Sequence, residues 1–336
     1  MFRPQGARRS PKTKSDENQK EVLTQNGYFD SFDGTKIFFS KEGEGRPLVF
    51  VYGLVCSSLH WTYQIEHFKK NYQAVWFDYR GHHNSGMPSD IKSITIEAMA
   101  SDLAQLLEHE GIRDAIFLGH SMGVNVVLEL YKNHPEYFKG MILANGTARA
   151  PLENIFRNNL SVFGFEWLKK IHALAPETIK KLWHLQKNNP FTRLLVQLGG
   201  FNPHLTPKAD IDLYVDQVMS MDPAIFIQVV EQYQKNDAMP WLHQVKVPTL
   251  IIAGEDDHVI PSEQQKLLHQ MIPGSEFELI RHGSHCPQMD LPELFNMRVQ
   301  KFLDQLGYNV LGPEATTHSD QGNLQSTQRD PSTPLS

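Results

Sequence analysis

Six short apolar runs punctuate the chain: Leu48-Val49-Phe50-Val51, Ala74-Val75-Trp76-Phe77, Ala115-Ile116-Phe117-Leu118, Met141-Ile142-Leu143-Ala144, Leu250-Ile251-Ile252-Ala253 and Phe277-Glu278-Leu279-Ile280. Most are continuous rather than alternating. Strands of that kind meet apolar neighbours on both faces, which predicts a mostly parallel sheet covered by helices on either side. Ahead of them, residues 27–40 alternate apolar and polar positions around Asp33-Gly34, the pattern of a hairpin. Between the runs the period changes to that of a helix: Ile96, Met99, Leu103, Leu106 and Leu107 share one face, as do Leu267, Leu268 and Met271. A closing helix is predicted over 292–306.

Residues 149–243 break the rhythm. They are helical in flavour, rich in Phe, Trp, Leu and Met, and contain no convincing strand-helix unit, so they read as a helical cap inserted between two core strands. The predicted organisation is a disordered basic arm (1–24), a core in two pieces (25–148 and 244–308), the cap (149–243) and a disordered polar tail (309–336). The arm and the tail are low in apolar residues and rich in polar ones. No period of repeat-protein length recurs.

Composition narrows the function. A chain of 336 residues, 40% apolar and 21% charged, can bury a large core. Its net charge of -6 gives no broad basic field, so neither nucleic acid nor anionic lipid is an expected partner. No window approaches the length of a membrane span, so no stable membrane insertion is expected. With no apolar leader in the first twenty residues, the expected location is cytoplasmic. The two cysteines, Cys56 and Cys286, are too few for a zinc framework or a disulfide scaffold and are read as free thiols, although both follow loops of the site described next. Oligomeric state is not legible.

The candidate chemistry begins at Gly119-His120-Ser121-Met122-Gly123, which follows the run 115–118 and precedes the helical stretch 124–130. A serine at such a strand-to-helix turn presents its hydroxyl above the sheet edge, and the glycines remove side chains that would collide there. A hydroxyl needs a base, and the base needs an acid to fix its tautomer. After the run 250–253 come Glu255, Asp256 and Asp257; Asp257 is the candidate acid and Asp256 the fallback. After the run 277–280 comes Arg281-His282-Gly283-Ser284-His285, with His285 the candidate base and His282 its competitor. The loop after 48–51 brings the backbone amide of Leu54, which with that of Met122 would form an oxyanion hole. Tyr52, Trp61 and His120 are candidate substrate contacts. Phe163, Phe165, Trp167, Leu168, Leu194 and Leu195 of the insertion supply apolar surface, for a pocket collectively and for packing individually.

These motifs in this order resemble the alpha/beta-hydrolase superfamily, over about residues 27–306. The resemblance rests on Asp33-Gly34, Tyr52-Gly53, Asp78-Tyr79-Arg80-Gly81-His82-His83-Asn84-Ser85, residues 119–123, residues 254–261 and residues 283–292. It implies an elbow nucleophile at Ser121, an acid at Asp257 and a histidine at His285. The family's other acid position holds Asn145, which cannot be the anion. Two departures stand out, Tyr52 where members usually carry histidine and His83 where they usually carry glycine. The implied activity is that of a capped serine esterase on small to medium apolar esters, with a small-molecule substrate and no cofactor or metal; a lactonase, thioesterase, acyltransferase or perhydrolase would use the same triad.

Overall fold

The computed structural model describes residues 24–151 and 160–309. The arm of 1–23 and the tail from 310 onward lie outside the described residues. Eight strands form one sheet: β1 (Thr24–Asp30), β2 (Lys36–Glu42), β3 (Pro47–Val51), β4 (Gln73–Phe77), β5 (Ala115–His120), β6 (Phe138–Ala144), β7 (Thr249–Gly254) and β8 (Glu276–Ile280), in the order β1-β2-β4-β3-β5-β6-β7-β8. All six apolar runs lie within strands. β1 and β2 form the hairpin, with Gly34 in the left-handed conformation at the turn. β2 is also antiparallel to β4, and every pair from β4 to β8 is parallel.

Strand order reverses at β3. The step from β3 to β4 runs one way and the following steps run the other, so right-handed crossovers place the connecting helices on opposite faces. α1 (Thr62–Phe68) crosses first and packs with the closing helix α11 (Pro292–Gln305). α2 (Ile96–His109) and α3 (Met122–Asn133) pack together on the other side. Thr95 caps α2 by accepting from the Ala98 amide at 3.0 Å, and the predicted face of Ile96, Met99, Leu103, Leu106 and Leu107 is buried. β5 and β7 are buried along their whole length, which is why their sequences do not alternate. A reversal of strand order opens a crevice at the strands' carboxyl ends, and the candidate residues cluster there.

The insertion between β6 and β7 is helical, as its composition predicts: α4 (Leu160–Leu174), α5 (Pro176–Leu185), α6 (Pro190–Gly200), α7 (Lys208–Ser220) and α8 (Pro223–Lys235). Proline occupies the first turn of α5, α6 and α8, where its missing amide costs nothing. α9 (Ser262–Met271) follows β7, and the short α10 (Pro287–Asp290) precedes α11.

Candidate active site

Ser121 stands between β5 and α3 with φ 54° and ψ -123°, a conformation costly for any residue with a Cβ. Close packing holds it there. A Cβ on Gly123 would lie 2.3 Å from the Val51 carbonyl oxygen, and one on Gly119 would lie 2.9 Å from that of Gly123, so only glycine lets α3 sit this tightly on β3 and β5. Gly53 also packs tightly here, since a Cβ on it would come 3.0 Å from that of Ser121. The loop after β3 therefore lies against the serine, and Leu54 lines the same cavity as Ser121. Met122 opens α3, so its amide is one of the first-turn donors that have no acceptor one turn back.

Three loops bring the remaining groups together. The Ser121 Oγ is 3.0 Å from His285 Nε2, and His285 Nδ1 is 2.9 Å from Asp257 Oδ2. A carboxylate only accepts, so Nδ1 carries the proton and donates to Asp257; in the neutral imidazole Nε2 is then the acceptor for the Ser121 hydroxyl. Asp257 is buried and well supported. Its Oδ1 accepts from the amides of Val259 and Ile260, each at 2.8 Å, and its Oδ2 accepts from Asn145 Nδ2 at 2.7 Å. Asn145 also donates to the Ser284 carbonyl at 3.0 Å and accepts from the Gly254 amide at 3.2 Å, tying together the loops that carry Asp257 and His285. Unable to be the anion, it steadies the anion, a role visible in sequence only as a polar residue at the end of β6.

The competitors lie apart. Asp256 and His282 are exposed and 4.0 Å from each other at the surface, and Glu255 accepts from the His282 amide. Tyr52, Trp61 and His120, expected as substrate contacts, are all buried, and none lines the cavity that Ser121 opens into. The Tyr52 hydroxyl accepts from the Tyr79 amide at 2.9 Å, while the Tyr79 hydroxyl donates to the Tyr52 carbonyl at 2.6 Å, so this tyrosine braces the β3 loop. Trp61 packs on Phe50 and Phe295. His120 Nε2 donates to the main-chain carbonyl of His285 at 2.8 Å and so fixes the backbone of the candidate base. Burial, reinforced by His285 and His60, holds the His120 imidazole neutral, well below the usual range. His83 adopts φ 44°, a conformation glycine takes easily, and its Nε2 donates to the Cys56 carbonyl at 2.7 Å.

Cys56 and Cys286 are both free and buried, and burial raises both thiols. Among the described residues no cluster of three or more histidines, cysteines or carboxylates could hold a metal ion.

The serine opens into a cavity of about 290 Å³ lined by Leu54, Phe165, Leu168, Phe226, Val230 and Ile260 among others. Its wall is almost wholly apolar. Tyr233 contributes its ring, and its buried hydroxyl has no partner among the described residues. Of the apolar residues singled out in the insertion, Phe165 and Leu168 line this cavity, whereas Phe163, Trp167, Leu194 and Leu195 face away from the core and are exposed. Sequence spacing reveals that a helix has apolar faces but not which of them is covered.

A family model described as the alpha/beta hydrolase fold matches residues 46–292. The RutD protein of Azorhizobium caulinodans is 26% identical over 273 residues, covering 80% of this chain and 96% of that one. The 3-oxoadipate enol-lactonase 2 of Acinetobacter baylyi is 26% identical over 256 residues, covering 76% and 88%. Among solved structures, an esterase from Exiguobacterium antarcticum superposes with a TM-score of 0.68 at 22% identity, covering 82% of this chain and 98% of that one, a likeness of fold.

Proposed function

Since the chain belongs to the alpha/beta hydrolase fold family, we propose that it is a serine hydrolase cleaving carboxylic esters through an acyl-enzyme. The observation that carries this reading is the unbroken hydrogen-bonded line from Ser121 through His285 to Asp257, 3.0 and 2.9 Å long, opening into an apolar cavity.

Ser121 Oγ attacks the acyl carbonyl carbon as its proton passes to His285 Nε2, and Asp257 stabilises the imidazolium that forms. The carbonyl oxygen becomes an anion facing the amides of Leu54 and Met122. Donors fixed in advance in a water-poor site are typically worth about 10²–10³ in rate each. Collapse of this intermediate breaks the bond to the alcohol, which leaves with the proton from His285 and an acyl group on Ser121. Water then repeats the sequence: His285 takes its proton, the hydroxyl adds to the acyl carbon, and Ser121 is released with the acid.

The cavity limits the substrate. About 290 Å³ suits a small to medium acyl or alkyl group. Among the described residues of the wall no lysine or arginine stands to meet a second carboxylate, which favours neutral esters over anionic ones. A lactonase, thioesterase, acyltransferase or perhydrolase would share every step up to the acyl-enzyme and differ in what attacks it.

The test is hydrolysis of p-nitrophenyl esters from acetate to long acyl chains, by the wild type and by Ser121→Ala. A short- to medium-chain optimum is expected, with kcat falling by at least about 10⁴ in the variant. Equal turnover by both proteins, or none on any ester by folded wild type, overturns the reading.

A further inference from the structure

Among the described residues seventeen large apolar side chains are exposed, and twelve of them fall between Phe163 and Leu213. They are not scattered. On α4, Phe163, Trp167, Ile171 and Leu174 recur at helical spacing, and at 100° per residue they occupy a sector about 80° wide. Leu174 is 86% exposed, Phe163 62% and Trp167 51%. The opposite side of the same helix carries Phe165 and Leu168 into the cavity, so α4 is apolar on two faces and only one is covered. α6 repeats the pattern with Phe191, Leu194, Leu195 and Leu198 in a sector about 100° wide, all exposed. An exposed apolar surface this large marks a contact with something outside the chain.

Charge decides between the occupants. From 160 to 200 the sequence holds five lysines and one arginine against two glutamates, in a chain whose net charge is -6. Part of that excess is neutralised in ion pairs: Lys169 pairs with Glu166 and Glu231, Lys180 with Asp222, and Arg193 with Asp212 and Asp216. Lys170, Lys181 and Lys187 form no ion pair among the described residues, and the Lys170 ammonium lies 5.9 Å from the Trp167 ring centroid, beside the apolar row. Two copies of the chain meeting through the α4 row would bring two Lys170 ammonium groups into the contact, where no carboxylate of that row would offset them. An anionic lipid surface meets both features at once, since the apolar rows enter the boundary between headgroups and acyl chains while the lysines remain at phosphate level. No helix among the described residues is long and apolar enough to cross a membrane, so the contact is a surface one.

We propose that the outer faces of α4 and α6 dock the protein on an anionic phospholipid bilayer. Docking by α4 would set the helix that walls the cavity directly against the lipid. The apolar rows hold the contact, and each lysine near the surface adds about fivefold in affinity that salt removes.

The experiment is co-sedimentation of the full chain with vesicles of phosphatidylcholine alone and with a third of phosphatidylserine, at low and high salt. It is read without turnover, so its outcome is independent of the reaction proposed above. Wild type is expected to sediment with the anionic vesicles, at least tenfold less with the neutral ones, and less in high salt. Trp167→Glu with Leu174→Glu is expected to weaken binding at least tenfold at an unchanged melting midpoint, and Lys170→Gln with Lys181→Gln to remove most of the salt dependence. Three results overturn the proposal: wild type that binds neither vesicle, binding indifferent to anionic lipid and to salt, or sedimentation velocity showing a stable dimer that Trp167→Glu with Leu174→Glu dissociates.

Discussion

Asn145 shows how much a single uncharged side chain can carry. It adopts φ 48°, a left-handed conformation that asparagine and glycine tolerate better than other residues. From there it reaches Asp257, the Ser284 carbonyl and the Gly254 amide. Replacement by glycine keeps the backbone and removes all three bonds. A hydrogen bond to a charged group contributes about 1.5–3 kcal/mol. If that stabilisation orients Asp257 toward His285, its loss is ten- to hundredfold in rate. Asn145→Gly is therefore expected to lower kcat on a p-nitrophenyl ester by that factor while leaving KM within about twofold, because Asn145 is absent from the cavity wall. Steady-state kinetics checks the split; a change in KM alone would contradict it.

At the scale of elements, the site depends on how closely α3 sits on β3 and β5. A methyl group on Gly123 would stand 2.3 Å from the Val51 carbonyl oxygen and 2.6 Å from that of Tyr52, both in backbone that cannot rotate away. Gly123→Ala is expected to destabilise the fold by about 1–3 kcal/mol. It should lower kcat by about 10² or more, since a shift of about 1 Å in Ser121 breaks its alignment with His285. Urea denaturation and initial rates measure the two effects, and a variant with native stability and native rate would show that the contact relaxes freely. That Gly119 and Gly123 matter was legible in the chain, as were the strands, the serine turn and the chain order of Ser121, Asp257 and His285, because each is written locally in a run of residues. Contacts between distant segments were not. Nothing near Trp61 or His120 in sequence reveals that Phe295 and His285 cover them, and the periodicity of α4 is the same whether Trp167 faces the core or the solvent.

Across the whole molecule, burial has been extended to groups that would rather be charged. Burial pushes His60 down to about 3 and His82 down to about 4, and it holds His120 well below the ordinary histidine value. All three are neutral in the fold, and ring nitrogens of each are without a partner among the described residues. In the unfolded chain they take up protons below about pH 6.5. The unfolded state thus binds more protons as pH falls, and stability falls with it; above pH 6.5 these groups contribute no pH dependence. At pH 5 each removes on the order of 2 kcal/mol, together a large share of the 5–15 kcal/mol typical of a folded domain. Asp78 and Asp102, raised by burial, have the opposite sign, while the histidines lower stability as pH falls from 6.5 to 5. The urea midpoint is expected to drop steeply across that window and to stay flat from pH 7 to 8. His60→Phe, placed beside Tyr214 and Phe201, should remove about a third of the slope. An unchanged slope in that variant would mean that the proton uptake resides elsewhere in the chain.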